Sequence, residues 1–119
     1  MKNEIMWWMS RLTIMLTSLF LSFSLAAQAY ATEVTMGSNG NLVLEPNDIT
    51  INAGDTVTFT NGALPPHNMI VKDHPELSHG DLAFATGDSF DVTFPDAGDF
   101  EFQCDPHAGA GMKGVIHVQ

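Results

Sequence analysis

The chain has 119 residues, a single cysteine and a formal net charge of −10. That length favours one domain, and a lone cysteine excludes an internal disulfide. So large an acidic excess makes nucleic acid and anionic membrane surfaces poor partners.

The first segment differs from the rest. Lys2 and Arg11 precede an apolar run from Leu12 to Ala27, which ends in the small residues around Ala29-Tyr30-Ala31. A charged start, an apolar stretch and an A-x-A site make a secretory signal peptide over residues 1–31, and imply export. Cleavage after Ala29 also fits, but strand-like sequence begins at Glu33, which favours a mature start at Thr32. A membrane anchor is the competing reading, for which the run is somewhat short of the ~20 apolar residues of a full span. The expected mature domain, 32–119, keeps Lys72 and Lys113 against thirteen carboxylates, a charge of −11. Either the charge draws a basic partner protein or it only keeps the domain soluble.

Short alternating runs follow, each closed by turn residues. Glu33–Met36 ends at Gly37-Ser38-Asn39-Gly40, and Leu42–Glu45 ends at Pro46-Asn47. Asp48–Asn52 sets Ile49 and Ile51 on one face, and Thr56–Thr60 does the same with Val57 and Phe59. Asn68–Val71 is short and apolar, and Pro75–Leu82 has room for one helical turn. Ser89–Phe94 aligns Phe90, Val92 and Phe94, and Asp99–Gln103 aligns Phe100 and Phe102. Gly114–Val118 opposes Val115 and His117 to Ile116 and Val118. Period-two alternation with frequent turns predicts an all-β antiparallel sandwich or barrel, with at most one short helix.

An unpaired cysteine in an exported protein points to covalent dimerisation or to metal ligation. Its surroundings favour the metal. Cys104-Asp105-Pro106-His107-Ala108-Gly109-Ala110-Gly111-Met112 reads C-x2-H-x4-M, on the loop between the last two strands. Glycines let that loop fold around an ion, and Pro106 restricts it beside His107. His67 opens another strand, and a sandwich gathers strand ends at one pole. Two imidazoles, a thiolate and a weak thioether suit one copper ion cycling between Cu(I) and Cu(II). A structural zinc site would show more Cys or His and no Met. The expected ligands are therefore His67, Cys104, His107 and Met112. His74, His79 and His117 are expected at the surface, and Met36 and Met69 in the core.

These residues resemble the plastocyanin family across essentially the whole mature chain. The resemblance rests on Ala53-Gly54-Asp55-Thr56-Val57, Pro66-His67-Asn68 and Cys104-Asp105-Pro106-His107 through Gly109-Ala110-Gly111-Met112. Leu77-Ser78-His79 looks closer to the cyanobacterial branch. The resemblance implies a Greek-key β-sandwich of the cupredoxin type with about eight strands. It implies a type I blue-copper carrier, not an enzyme, that shuttles electrons from cytochrome f of the cytochrome b6f complex to photosystem I. The implied setting is a thylakoid lumen, or a periplasm, with the chain acting as a monomer that touches membrane complexes only peripherally. An apolar docking face is implied around His107, at Leu42, Leu64, Pro65, Pro66, Gly109 and Ala110, and Asn68 is implied to tie the two ligand loops together. Gln103 stands where the family usually has Tyr, and Ala108 where cyanobacterial members usually have Arg; both positions belong to partner contacts.

Other functions fit less well. A pseudoazurin-like periplasmic cupredoxin serving a respiratory partner shares the loop spacing, but such chains run well past the Met, whereas this one stops at Gln119. A copper oxidase or nitrite reductase needs a further ligand cluster. A copper chaperone needs exchangeable thiols, and this site has one.

Overall fold

Alternating β-branched and aromatic residues build nine strands in the computed structural model, which describes residues 31–119. The signal segment falls almost wholly outside the described residues. The strands are β1 Thr32–Ser38, β2 Asn41–Glu45, β3 Asp48–Ile51, β4 Thr56–Asn61, β5 His67–Val71, β6 His79–Ala83, β7 Ser89–Thr93, β8 Gly98–Gln103 and β9 Lys113–Val118. They form two sheets, ordered β2-β1-β4-β7 and β3-β9-β8-β5-β6.

The inward faces follow the alternation. Val34, Met36, Val57 and Phe59 of the first sheet are buried, as are Ile49, Ile51, Met69, Val71, Phe102, Ile116 and Val118 of the second. Phe59 meets Phe102 edge-on across the two layers, with centroids 5.8 Å apart. Burying each such side chain contributes about 1.5–3 kcal/mol. Met36 and Met69 belong to this core, as their positions predict.

Three features depart from expectation. Two ladders are parallel, β1 with β4 and β3 with β9, so the sandwich is mixed and not wholly antiparallel. Alternation reports which face is buried and says nothing of strand direction. β6 is an unexpected edge strand, mostly exposed and bulged against β5. Two short 3₁₀ segments occur where one helical turn was expected: Pro75–Leu77, and Asp105–Ala110 inside the Cys104–Met112 loop.

Candidate metal centre

Sheet register sets the site. β5 and β8 pair antiparallel through Ile70 with Gln103 and Val71 with Phe102. Extended by a few residues, that ladder brings the start of β5, His67, against the loop that leaves β8 at Cys104. β8 and β9 pair Gln103 with Lys113, so Cys104 and Met112 are the next residues outward on the two strands. The Cys104 amide donates to the Met112 carbonyl at 3.1 Å. The His107 amide donates to Cys104 O at 3.1 Å, and the Met112 amide to His107 O at 3.3 Å. Gly111 closes the turn in the left-handed region, φ 90°, where a side chain would be strained.

One donor atom each from His67, Cys104 and His107 lies within 4.8 Å of the others. The Cys104 sulfur is 3.7 Å from His67 Nδ1 and 3.5 Å from His107 Nδ1. His67, Cys104 and Met112 are fully buried, whereas His107 is only half-buried. His67 Nε2 lies 2.7 Å from the Ala63 carbonyl. A carbonyl only accepts, so Nε2 carries the proton and Nδ1 turns a lone pair toward the sulfur. Such an outer hydrogen bond fixes the ligating tautomer. Two soft-to-borderline nitrogens beside one sulfur, walled from water, fit copper.

Electrostatics match that use. Burial lowers the His67 pKa; the Ala63 hydrogen bond works against this, and His107 lowers it further. Burial pushes the Cys104 thiol up; the backbone amides of Asn68 and His107 pull it down, and Asp105 adds to the rise. Ligation needs the thiolate, so metal uptake expels a proton.

Surrounding groups hold the two loops in place. Asn68 Oδ1 accepts from the Asp105 amide at 2.9 Å, and Asn68 Nδ2 donates to Gly80 O at 3.2 Å. This is the tie between ligand loops that the resemblance implies for Asn68. The Ala63 carbonyl was not foreseen. Its loop presses on the end of β1, where Gly62 and Ala63 donate to Met36 O and Gly37 O, each at 2.8 Å. A Cβ on Gly37 would stand 1.9 Å from Ala63 O, and one on Gly62 2.1 Å from Gly37 O. Only the glycines themselves hinted at so close an approach.

The other histidines stay away from the site. His74 bonds Glu76 at 2.7 Å, and His79 stacks on Phe90 with centroids 3.9 Å apart. His117 reaches Asp99 at 2.7 Å and Asp48 at 3.1 Å. All three lie partly exposed. Of the residues that the resemblance implies for a docking face, Leu64, Pro65, Gly109 and Ala110 are exposed, and Leu42 and Pro66 half-buried.

The chain is similar to known proteins in sequence and in fold. The family described as copper-binding proteins, plastocyanin/azurin family, matches residues 30–119. Chloroplastic plastocyanin of Tetradesmus obliquus is 43% identical over 106 residues, covering 82% of this chain and 73% of its own. Plastocyanin of Scenedesmus fuscus is 47% identical over 96 residues, covering 72% and 97%. Among solved structures, a fern plastocyanin mutant superposes with a TM-score of 0.67 at 29% identity, covering 74% of this chain and all of the other. Amicyanin from Paracoccus versutus gives 0.62 at 28%, covering 79% and 86%. These plastocyanins come from algae and a fern and do not bear out a cyanobacterial branch. The chain belongs to the plastocyanin/azurin family of copper-binding proteins.

Proposed function

We propose that His67 Nδ1, Cys104 Sγ, His107 Nδ1 and the Met112 thioether hold one copper ion, and that the domain carries single electrons from cytochrome f to photosystem I. The coarser role, a blue-copper electron carrier and not an enzyme, follows from the family. The observation that carries the ligand assignment is the buried cluster in which His67 offers Nδ1 because Nε2 is committed to Ala63. Copper supplies the one-electron chemistry, passing between Cu(I) and Cu(II).

The residues of the chain supply the rest. His67, Cys104 and Met112 exclude water from the ion. The backbone bonds among Cys104, His107 and Met112 keep donor positions alike in both oxidation states, so little rearranges on transfer. His107 is the half-exposed donor, and its ring edge is the route by which electrons enter or leave. Leu42, Leu64, Pro65, Pro66, Gly109 and Ala110 form the apolar face that meets a partner, in the manner of a transient interface. Residues 1–31 direct export to a thylakoid lumen or periplasm, and the chain acts as a monomer.

Titration with Cu(II) tests the assignment. One ion per chain is expected, with intense visible absorption from thiolate-to-copper charge transfer. Cys104→Ser removes the colour, and Met112→Leu keeps it while shifting the potential. A colourless copper-loaded wild type overturns the reading. Flash kinetics with cytochrome f and photosystem I test the partners, and N-terminal sequencing of exported protein, expected to begin at Thr32, tests the processing.

A further inference from the structure

The chain contains two Asn-Gly pairs, Asn39-Gly40 and Asn61-Gly62. A glycine after asparagine has no Cβ to shield its amide nitrogen or restrict its backbone. That nitrogen can therefore reach the preceding carboxamide more readily than in other pairs. The fold treats the two pairs in opposite ways.

Asn61-Gly62 is locked. Asn61 is 1% exposed and donates from Nδ2 to Ala83 O at 2.7 Å and Ala85 O at 3.1 Å. The Gly62 amide donates to Met36 O at 2.8 Å, and a Cβ on Gly62 would stand 2.1 Å from Gly37 O. The carboxamide cannot turn toward the Gly62 nitrogen without breaking these bonds, and it is shielded from solvent.

Asn39-Gly40 is open. It forms the turn between β1 and β2, closed by the pairing of Ser38 with Asn41. Asn39 has φ 52° and Gly40 φ 72°, the positive pair that a two-residue hairpin turn favours. Both residues are exposed, and a Cβ on Gly40 would meet nothing within 4 Å. Among the described residues no hydrogen bond holds the Asn39 carboxamide or the Gly40 amide. At this tip Asn41 Nδ2 donates to Asn39 O at 3.2 Å. When the Gly40 amide loses its proton, negative charge spreads onto that oxygen, and a donor there stabilises it.

We propose that Asn39 is a site of spontaneous deamidation in the folded protein, with solvent water as the co-reactant. The Gly40 nitrogen gives up its proton and bonds to Asn39 Cγ. The Cγ–Nδ2 bond breaks, and ammonia leaves with that proton. Water then opens the cyclic imide. Opening at Cγ gives aspartate; opening at the backbone carbonyl gives isoaspartate, in which the main chain passes through Cγ. Nothing is oxidised or reduced. Either product adds a negative charge, and isoaspartate also lengthens the turn that follows Gly37, the residue behind the Ala63 carbonyl. The proposal does not depend on the electron-carrier reading.

The test incubates purified wild type and Asn39→Gln in warm, mildly alkaline buffer. Peptide mapping by mass spectrometry follows the exchange of NH for O, and a carboxyl methyltransferase specific for isoaspartate labels that product. Asn39 should convert at least about tenfold faster than Asn61, because Asn61 reacts only after local opening breaks its hydrogen bonds. Unfolding in urea should erase the difference, since both pairs then react as free chain. Asn39→Gln should lose the methyl label, because its longer side chain must close a larger ring. An intact Asn39 in the folded protein overturns the proposal, as does equal conversion of Asn39 and Asn61 before unfolding.

Discussion

The Ala63 carbonyl accepts a 2.7 Å hydrogen bond from His67 Nε2, and Gly37 backs that same carbonyl so closely that no Cβ fits between them. The orientation of a candidate ligand therefore depends on a glycine thirty residues away in sequence. A methyl group at position 37 would also come 2.9 Å from His67 Nε2 itself.

Gly37→Ala should lower stability and disturb copper binding together. Gly37 has φ 82°, where an alanine costs about 1–2 kcal/mol in the backbone alone. Gly40 has φ 72° and open space around it, so Gly40→Ala carries the backbone cost without the collision. Denaturant unfolding should show Gly37→Ala as the less stable of the two. Only Gly37→Ala should shift the visible copper band. Matching spectra for the two variants would remove Ala63 from the positioning of His67.

Asn68→Ala should destabilise the domain by about 1–3 kcal/mol, the loss of two hydrogen bonds at about 0.5–1.5 kcal/mol each. Asn68 is 5% exposed and serves both the Asp105 amide and the Gly80 carbonyl. Thermal unfolding measures the loss. The same variant should broaden the distribution of site geometries, seen as a wider copper EPR signal. An unchanged melting temperature would show that the two loops hold without the tie.

Stability should fall as pH rises through the folded pKa of His117. Asp99 raises that pKa above its ordinary value, burial opposes the rise, and Asp48 adds to it. A raised folded pKa means the stabilisation is complete below the unfolded value of about 6.5 and disappears above the folded one. Geometry agrees, because both ring nitrogens face carboxylates, and only the imidazolium can donate to both. Urea midpoints between pH 5 and 9 should slope downward for wild type. His117→Gln should flatten that slope, and parallel curves would rule out the linkage.

Leu42→Glu should slow electron exchange with cytochrome f or photosystem I and leave the visible spectrum alone. Leu42 is half-buried on β2 and belongs to the proposed docking face. Wild-type rates with basic partners should also fall with added salt, since the thirteen carboxylates against two lysines in residues 32–119 steer encounter from a distance. Ala108→Arg should change the rate with photosystem I most at low salt. Salt-independent wild-type rates would reduce the charge to a solubility feature.

Most strands were legible because burial on one face imprints period two. Ile49 with Ile51, Val57 with Phe59, and Phe100 with Phe102 are buried as their spacing requires. His79–Ala83 was not legible as a strand. It lies at a sheet edge, is bulged, and buries nothing fully, so no alternation marks it. The four proposed donors could be picked out because their types are scarce and three share one loop. Asn68 was foreseen through the resemblance, but the Ala63 carbonyl was not. Ala63 acts through a carbonyl that every residue carries, so it leaves no trace in residue type. His117 was placed at the surface correctly, but its carboxylate partners come from strands that only the fold makes neighbours.

The parallel ladder of β3 and β9 joins Ile49 to Ile116 and Ile51 to Val118. β9 is the last strand in the chain, and it fills the gap between β3 and β8. The second sheet therefore cannot close until β9 is in place, and until then β3 and β8 present open edges of the kind that recruit other chains. Closing so long a loop is slow, because its entropy is lost before the contacts form. Met112 lies immediately before β9 and the Cys104 loop is hydrogen-bonded to it, so the proposed donors share one pole only when β9 is docked.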